Sequence, residues 1–372
     1  MVAKRGDYRM RLSRLPYIRI LRECRLPAHR RGRRHAPAVR PVHGLRSIVS
    51  NPRSRVAERT LVVVAPGLLT LPDAVLARSA ALVRLAALSP DPSVDPAGID
   101  AATSTAVGWR DAPAPLTALG AGIDPAGAWV MHADLLHVDV GASDVLVRGR
   151  VDDLDADEAR ALAADIGELI GREGLRLEPK RPDRWFALST DNVASETVCV
   201  DAMIGRGLLN ELNRGEGARP LARMRGEIEM LLHDHPINRA RSERGADSAD
   251  DLWLWGGGRL AFGTNAIGPL AVDACPGRAG DLARGLAIVA CDRHDGRHTA
   301  VTVANPLRND TDLAAFCRDV LGAALSALDE HRIEELVVIA DGAGHAATWR
   351  ARPPSLLRRL GMHLRETRFM RR

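Results

Sequence analysis

The apolar and polar positions change period several times along this chain. Leu61 to Ala65 is an unbroken apolar run closed by Pro66 and Gly67, the signature of a strand buried on both faces. Asp73 to Leu88 carries the 3.6-residue stripe of an amphipathic helix. This strand–turn–helix opening predicts an α/β domain. Residues 89–125 are rich in Pro, Asp, Ala and Gly and read as a long surface connection. The pattern then shifts. Trp129 to Val140 predicts a strand, and Asp144 to Val151 its hairpin partner. Asp157 to Arg172 predicts a helix with acidic residues in its first turn, and Gly174 stops it. Leu175 to Leu177 and Trp185 to Leu188 follow as two further strands, giving a ββαββ unit.

Residues 218–244 return to helical spacing, with Leu221, Met224, Ile228, Leu231 and Leu232 on one face and Pro236 resetting the chain. Asp251 to Trp255 is strand-like and runs into Gly256, Gly257 and Gly258. A helix is expected near 278–286, strands near 286–291 and 298–304, a helix over 311–331 and a strand over 335–340. The expected organisation is therefore an α/β core from 59–126 and 191–372, with a small α+β subdomain at 127–190. Residues 1–58 lack periodicity. They read as a disordered tail, with a nucleic-acid-binding arm and a transit-type presequence as the other readings.

Charge sharpens this division. The formal net charge of the chain is +5. Residues 1–58 hold a large excess of Arg over acidic residues, so the remainder is net negative. That balance argues against nucleic acid as a partner of the globular part, leaving only the 1–58 tail for such a role. The five cysteines are far apart and form no CxxC pair, which fits reduced thiols and a cytoplasmic location. No apolar window is long enough for a membrane span, so no membrane association is expected.

The most specific stretch runs from Glu227 through Met230, His235, Pro236, Asn238 and Arg241 to Gly245, followed by Asp251 to Gly258 with its W-x-W-G-G-G core. It resembles the signature of RpfE-type regulatory proteins, distant relatives of the archaeal-type cofactor-independent phosphoglycerate mutases of the alkaline phosphatase superfamily. Trp129 with Ala133, Asp134 and His137 resembles a second family motif, and Ala271 to Ile288 a third. The resemblance spans 127–290. It implies a mutase-like sheet with helices on both faces.

The residues admit two readings at the 235–241 corner. Pro236 fixes the backbone and holds His235 extended, with Asn238 available to cap the next helical turn, so the stretch reads as a structural corner. Alternatively His235, Asn238, Arg239 and Arg241 present donors to a phosphate or carboxylate. Trp253 and Trp255 fall on one face of their strand and read as packing residues. Gly256, Gly257 and Gly258 allow close approach of a ligand or of neighbouring backbone. Asp134 and His137 lie on opposite faces of a strand, a poor arrangement for one metal ion.

The resemblance also implies a site with two divalent metals and a Ser or Thr nucleophile. The first metal ligand would be an Asp just after the first strand, where this chain has Ala65, Pro66 and Gly67. Ser104 is the one faint nucleophile candidate. Asp341 and His345 resemble a later metal motif of the mutases, but Asp341-Gly342 between apolar runs is also a hairpin signal, with Thr348 to Arg350 returning. The expectation is a non-catalytic regulatory or ligand-binding protein on a degenerate mutase-like scaffold, with a phosphorylated small molecule or a protein as partner. No cofactor is expected unless Asp341 and His345 retain a divalent Mn or Mg. The alternative is a phosphoglycerate mutase, or a related metal-dependent phosphotransferase or phosphatase, with a rebuilt site.

Overall fold

The computed structural model describes residues 59–141, 144–193, 197–208, 218–260, 267–268, 270–290, 298–342 and 344–353. The 1–58 tail and the basic end beyond residue 353 lie outside the described residues. The chain is an α/β protein with two sheets, as expected.

β1 (Arg59–Ala65) leads through single turns at Leu68–Thr70 and Asp73–Leu76 to α1 (Ala80–Leu88). The helix expected over 73–88 is thus interrupted; Ser79 restarts it by accepting the Leu82 N–H at its N-cap. The 89–125 segment is not a surface connection. It contains β2 (Ser93–Asp95), α2 (Gly98–Ala106) and α3 (Pro113–Gly120), and Ala114, Leu116 and Ala118 are fully buried. Small residues hid these helices, because Ala and Gly give little amphipathic contrast.

The second region opens with β3 (Trp129–Val140) and β4 (Val145–Arg150). α4 (Ala156–Gly171) begins with a complete capping box, in which Asp155 and Glu158 satisfy each other's first-turn donors. β5 (Leu175–Arg181) and β6 (Arg184–Ser189) follow, then a helical turn at Val200–Met203. α5 (Ala218–His233), α6 (Pro236–Glu243) and β7 (Asp251–Gly258) come next. β8 (Leu270–Ala274), α7 (Arg278–Val289), β9 (His298–Val303), α8 (Asp310–Phe316), α9 (Gly322–Asp329), β10 (Glu335–Gly342) and β11 (His345–Ala351) complete the fold. A π-helical turn at Cys317–Leu321 joins α8 to α9. α7 continues to Val289, so the strand expected near 286–291 is helix over 286–289, and its last residue lies outside the described residues.

The first sheet has the order β2-β11-β10-β1-β9-β8, with β10, β1, β9 and β8 parallel. Central β1 is buried on both faces. Leu61, Val63 and Ala65 pack against α1, α8 and α9, while Val62 and Val64 pack against Ile99 and Ala102 of α2 and Ala279 and Ala283 of α7. β10 and β11 form the hairpin that Asp341-Gly342 signals, with Gly342 opposite His345.

The second sheet is antiparallel. β3 pairs with β6 through its first half, with β4 through its second, and with β7 over Val130–Leu136. β7 therefore completes the sheet of the 127–190 region, although its sequence position puts it with the core. One face of this sheet packs on α4 and on Leu221, Met224, Ile228 and Leu232 of α5. Near the other, Ala114 and Ala118 of α3 meet Val130, Phe186 and Leu188. α3 also packs closely on α7, so it fastens the two sheets together. Among the described residues, no helix is long and apolar enough to cross a membrane.

Candidate functional site

The corner at 235–241 is built as a structural joint. His235 is the N-cap of α6: Nδ1 accepts the Ile237 N–H at 3.1 Å, and Nε2 lies 3.0 Å from Asp165. Asn238 does not cap the turn. Its Nδ2 donates to Leu232 O at 2.8 Å and Ala249 O at 2.7 Å, and its Oδ1 accepts the Ala249 N–H at 2.9 Å. Arg241, fully buried, donates to Asp247 O, Glu158 and Asp153. The donors of Asn238 and Arg241 are thus committed within the protein, and Arg239 is exposed.

Gly256 takes a φ of +66°, which favours glycine, and Gly257 and Gly258 serve packing. A Cβ on Gly257 would lie 2.6 Å from the Trp129 indole nitrogen, and one on Gly258 would lie 2.6 Å from Ala112 Cβ. Trp253 and Trp255 share one face of β7, as the alternation predicts, while Leu252 and Leu254 fill the opposite one. Trp253 Nε1 donates to Val198 O at 2.9 Å. Asp134 and His137 have separate partners: Asp134 accepts from Trp255 Nε1 at 2.6 Å, and His137 Nδ1 lies 2.9 Å from Asp250. Ser104 is buried inside α2, away from the crevice described next.

That crevice, of about 640 Å³, opens between the two sheets. One wall is the C-terminal edge of the parallel strands: Pro66 and Gly67 after β1, Ala304 after β9, Gly277 and Arg278 after β8, and Asp341 of β10. In open parallel sheets this edge is where ligands bind. Arg150, Arg181 and Arg184, from the ends of β4, β5 and β6, face it across the gap. Among the described residues, five arginines and four aspartates line the cavity.

Two of these guanidinium groups are buried. The Arg278 side chain is 9% exposed; its Nε lies 2.8 Å from Asp100 and its Nη2 donates to Asp201. Although burial opposes its charge, Asp100 and Asp201 raise its pKa well above the ordinary value. The Arg184 side chain is 3% exposed and has only distant carboxylates, Asp183 at 3.6 Å and Asp281 at 3.7 Å. Burial pushes its pKa down to about 10. Nη1 of both arginines, and Nε of Arg184, have no hydrogen-bond acceptor among the described residues. Such donors are costly to leave unpaired inside a protein. Behind them, the His132 ring stacks on Trp255 at 4.4 Å, and burial together with Arg278, Arg184 and Arg150 lowers its pKa well below the usual value.

α7 starts at the same wall. Its N-cap is Gly277, with no side-chain cap, so the positive end of a twelve-residue helix faces the cavity. The sequence reading missed this site, yet one signal was present. Arg278 sits in the first turn of a helix, where a cation opposes the helix dipole.

Asp341 lies in the crevice, its Oδ1 accepting the Gly67 N–H, while His345 sits across the hairpin and does not line the cavity. The two-metal centre implied by the resemblance does not fit these residues. Pro66 offers no ligand side chain, Asp341 already accepts from the backbone, and among the described residues no three His, Cys, Asp or Glu side chains gather to hold an ion.

Burial pushes Asp341 up from 3.8 to about 6, with the Gly67 hydrogen bond opposing. Its folded pKa thus lies above its unfolded one, so ionising it in the folded state costs stability. The cost is absent at low pH, grows from about pH 4 to about pH 6, and is complete above that window. Asp341→Asn keeps an acceptor for Gly67 and should remove this slope. The variant should gain on the order of 3 kcal/mol over the wild type as pH rises through the window. Urea midpoints of both proteins at acidic and neutral pH test this; a constant difference between them would contradict the assignment.

No family model matches the chain. A 2,3-bisphosphoglycerate-independent phosphoglycerate mutase of Methanosarcina barkeri is 27% identical over 171 residues, which are 44% of this chain and 42% of that protein. A probable mutase of the same kind from Geobacter sulfurreducens is 28% identical over 134 residues, 36% of this chain and 34% of that protein. The chain therefore matches less than half the length of these relatives. A solved cofactor-independent phosphoglycerate mutase from Thermoplasma acidophilum aligns with 79% of this chain and 90% of its own, at 14% identity and a TM-score of 0.33. Over part of its length, the chain is distantly similar to cofactor-independent phosphoglycerate mutases.

Proposed function

We propose that this protein is a ligand-binding protein on a mutase-like scaffold, of the regulatory kind its motifs resemble. It takes a small phosphorylated carboxylate into the crevice without turning it over. The observation that carries this reading is the pair of buried, under-partnered guanidinium groups of Arg184 and Arg278 beside the uncapped start of α7. A phosphate or carboxylate would supply the acceptors these groups lack. The reading without turnover is supported by Ala65, Pro66 and Gly67 at the end of β1, which leave the turn without a carboxylate.

The mutase alternative draws support from the similarity to phosphoglycerate mutases and from Asp341 at the crevice. Thermal shift with 3-phosphoglycerate, with glycerol as control, combined with a coupled mutase assay in Mn²⁺ and Mg²⁺, separates the readings. A rise in melting temperature that saturates with 3-phosphoglycerate, without product, is expected. Turnover abolished by a chelator would favour the mutase. Equal responses to both compounds would sink the ligand proposal.

A further inference from the structure

We infer that the Arg278 guanidinium is the crevice's fixed cation, occupying the place a divalent ion would need, so that the anion is bound without metal. The inference rests on the ligand reading above and specifies how that site works.

The geometry around Arg278 is that of a cage. Asp100, 2% exposed, lies 2.8 Å from Nε. Asp201 accepts from Nη2 at the crevice edge. The Trp255 ring lies 5.1 Å from the guanidinium carbon, within cation–π range. Trp255 is itself held by Asp134 and by the stacked His132. Carboxylates from α2 and from the turn at Val200–Met203 thus converge on one point from distant parts of the chain. That point holds a permanent cation of the protein's own. A divalent ion approaching the same carboxylates would have to displace this guanidinium from Asp100 and Asp201.

The cage leaves one buried donor of Arg278, Nη1, without an acceptor among the described residues, and Arg278 lines the crevice. Arg184 adds Nε and Nη1 from the opposite wall, also without acceptors. Its nearest buried carboxylate, Asp281, is already shared with Arg181 at 2.5 Å and Arg284 at 2.5 Å. Three guanidinium groups therefore share Asp281, with the half-buried Asp183 as the other carboxylate near Arg181 and Arg184. The first-turn amides of α7 contribute the third set of donors. An oxyanion with three or more oxygens can meet all three sets at once, as a phosphoryl group does.

The test is isothermal titration of the full chain with inorganic phosphate and with 3-phosphoglycerate, in EDTA and in Mn²⁺. Mn²⁺ binding is followed separately by electron paramagnetic resonance. The wild type should bind the anion with the same Kd in EDTA and in Mn²⁺, and should leave the Mn²⁺ signal unchanged. Arg278→Met should weaken anion binding at least tenfold and should gain Mn²⁺ binding on the freed Asp100 and Asp201. Should Arg278→Met fail to fold, Arg278→Lys keeps the charge and loses the fork; it should weaken binding several-fold without creating a Mn²⁺ requirement. Anion binding that appears only with Mn²⁺ would overturn the fixed-cation inference while leaving the ligand reading intact. No anion binding under either condition would overturn both.

Discussion

Replacing Arg241 by Ala should destabilise the protein by about 3–5 kcal/mol, the usual cost of removing one partner from a buried ion pair. The side chain is fully buried and ties three segments together. Nε donates to Asp247 O at 2.6 Å, Nη1 to Glu158 at 3.0 Å, and Nη2 to Asp153. Glu158 is 5% exposed and also closes the capping box of α4. Arg244 still pairs with it, which favours the lower end of the range. The change should appear as a lower urea midpoint with an unchanged slope. Combining it with Glu158→Gln should cost less than the sum of the two, since the stranded carboxylate accounts for part of the loss. Anion binding in the crevice should survive in the folded fraction. A midpoint close to that of the wild type would mean that the corner is solvated and its hydrogen bonds dispensable.

Gly285→Val should be at least as damaging, at about 3 kcal/mol or more. α3 and α7 touch backbone to backbone. A Cβ on Gly285 would lie 1.9 Å from Leu116 O, and one on Gly120 would lie 1.8 Å from Asp281 O. No side-chain rotation relieves such contacts, so the helices must separate. Leu282 and Leu286 of α7, which pack with Leu116, would lose their fit. The consequence extends to function, because α7 carries Arg278 at its first turn. Whatever protein still folds should bind phosphate more weakly than the wild type, although Gly285 does not line the crevice. Calorimetric melting and phosphate titration on the same preparation would measure both effects. Unchanged values of both would show that the two helices can separate without moving Arg278.

The packing role of Trp253 and Trp255 was legible from alternation along one strand, and the 341–345 hairpin from Asp-Gly between apolar runs. The corner at 235–241 was legible as local geometry, although the N-cap is His235 and not Asn238. The crevice was not. Asp100, Arg184, Asp201 and Arg278 are far apart in the chain and belong to no local motif. α3 escaped detection because its buried residues are mostly small.

The sequence by itself determined the elements whose side chains divide cleanly between core and solvent. These are the doubly buried strand β1, the capped amphipathic α4, the apolar face of α5 and the 341–345 hairpin. Each depends on hydrophobic period or turn chemistry within a few residues. Only the tertiary structure decided that β7 joins β3, that α3 fastens the two sheets, and that arginines from β4–β6 face Arg278. Strand order and sheet-to-sheet packing depend on contacts between segments distant in sequence, and no local pattern records which buried surface meets which. A site built from loops at the junction of two sheets inherits that dependence.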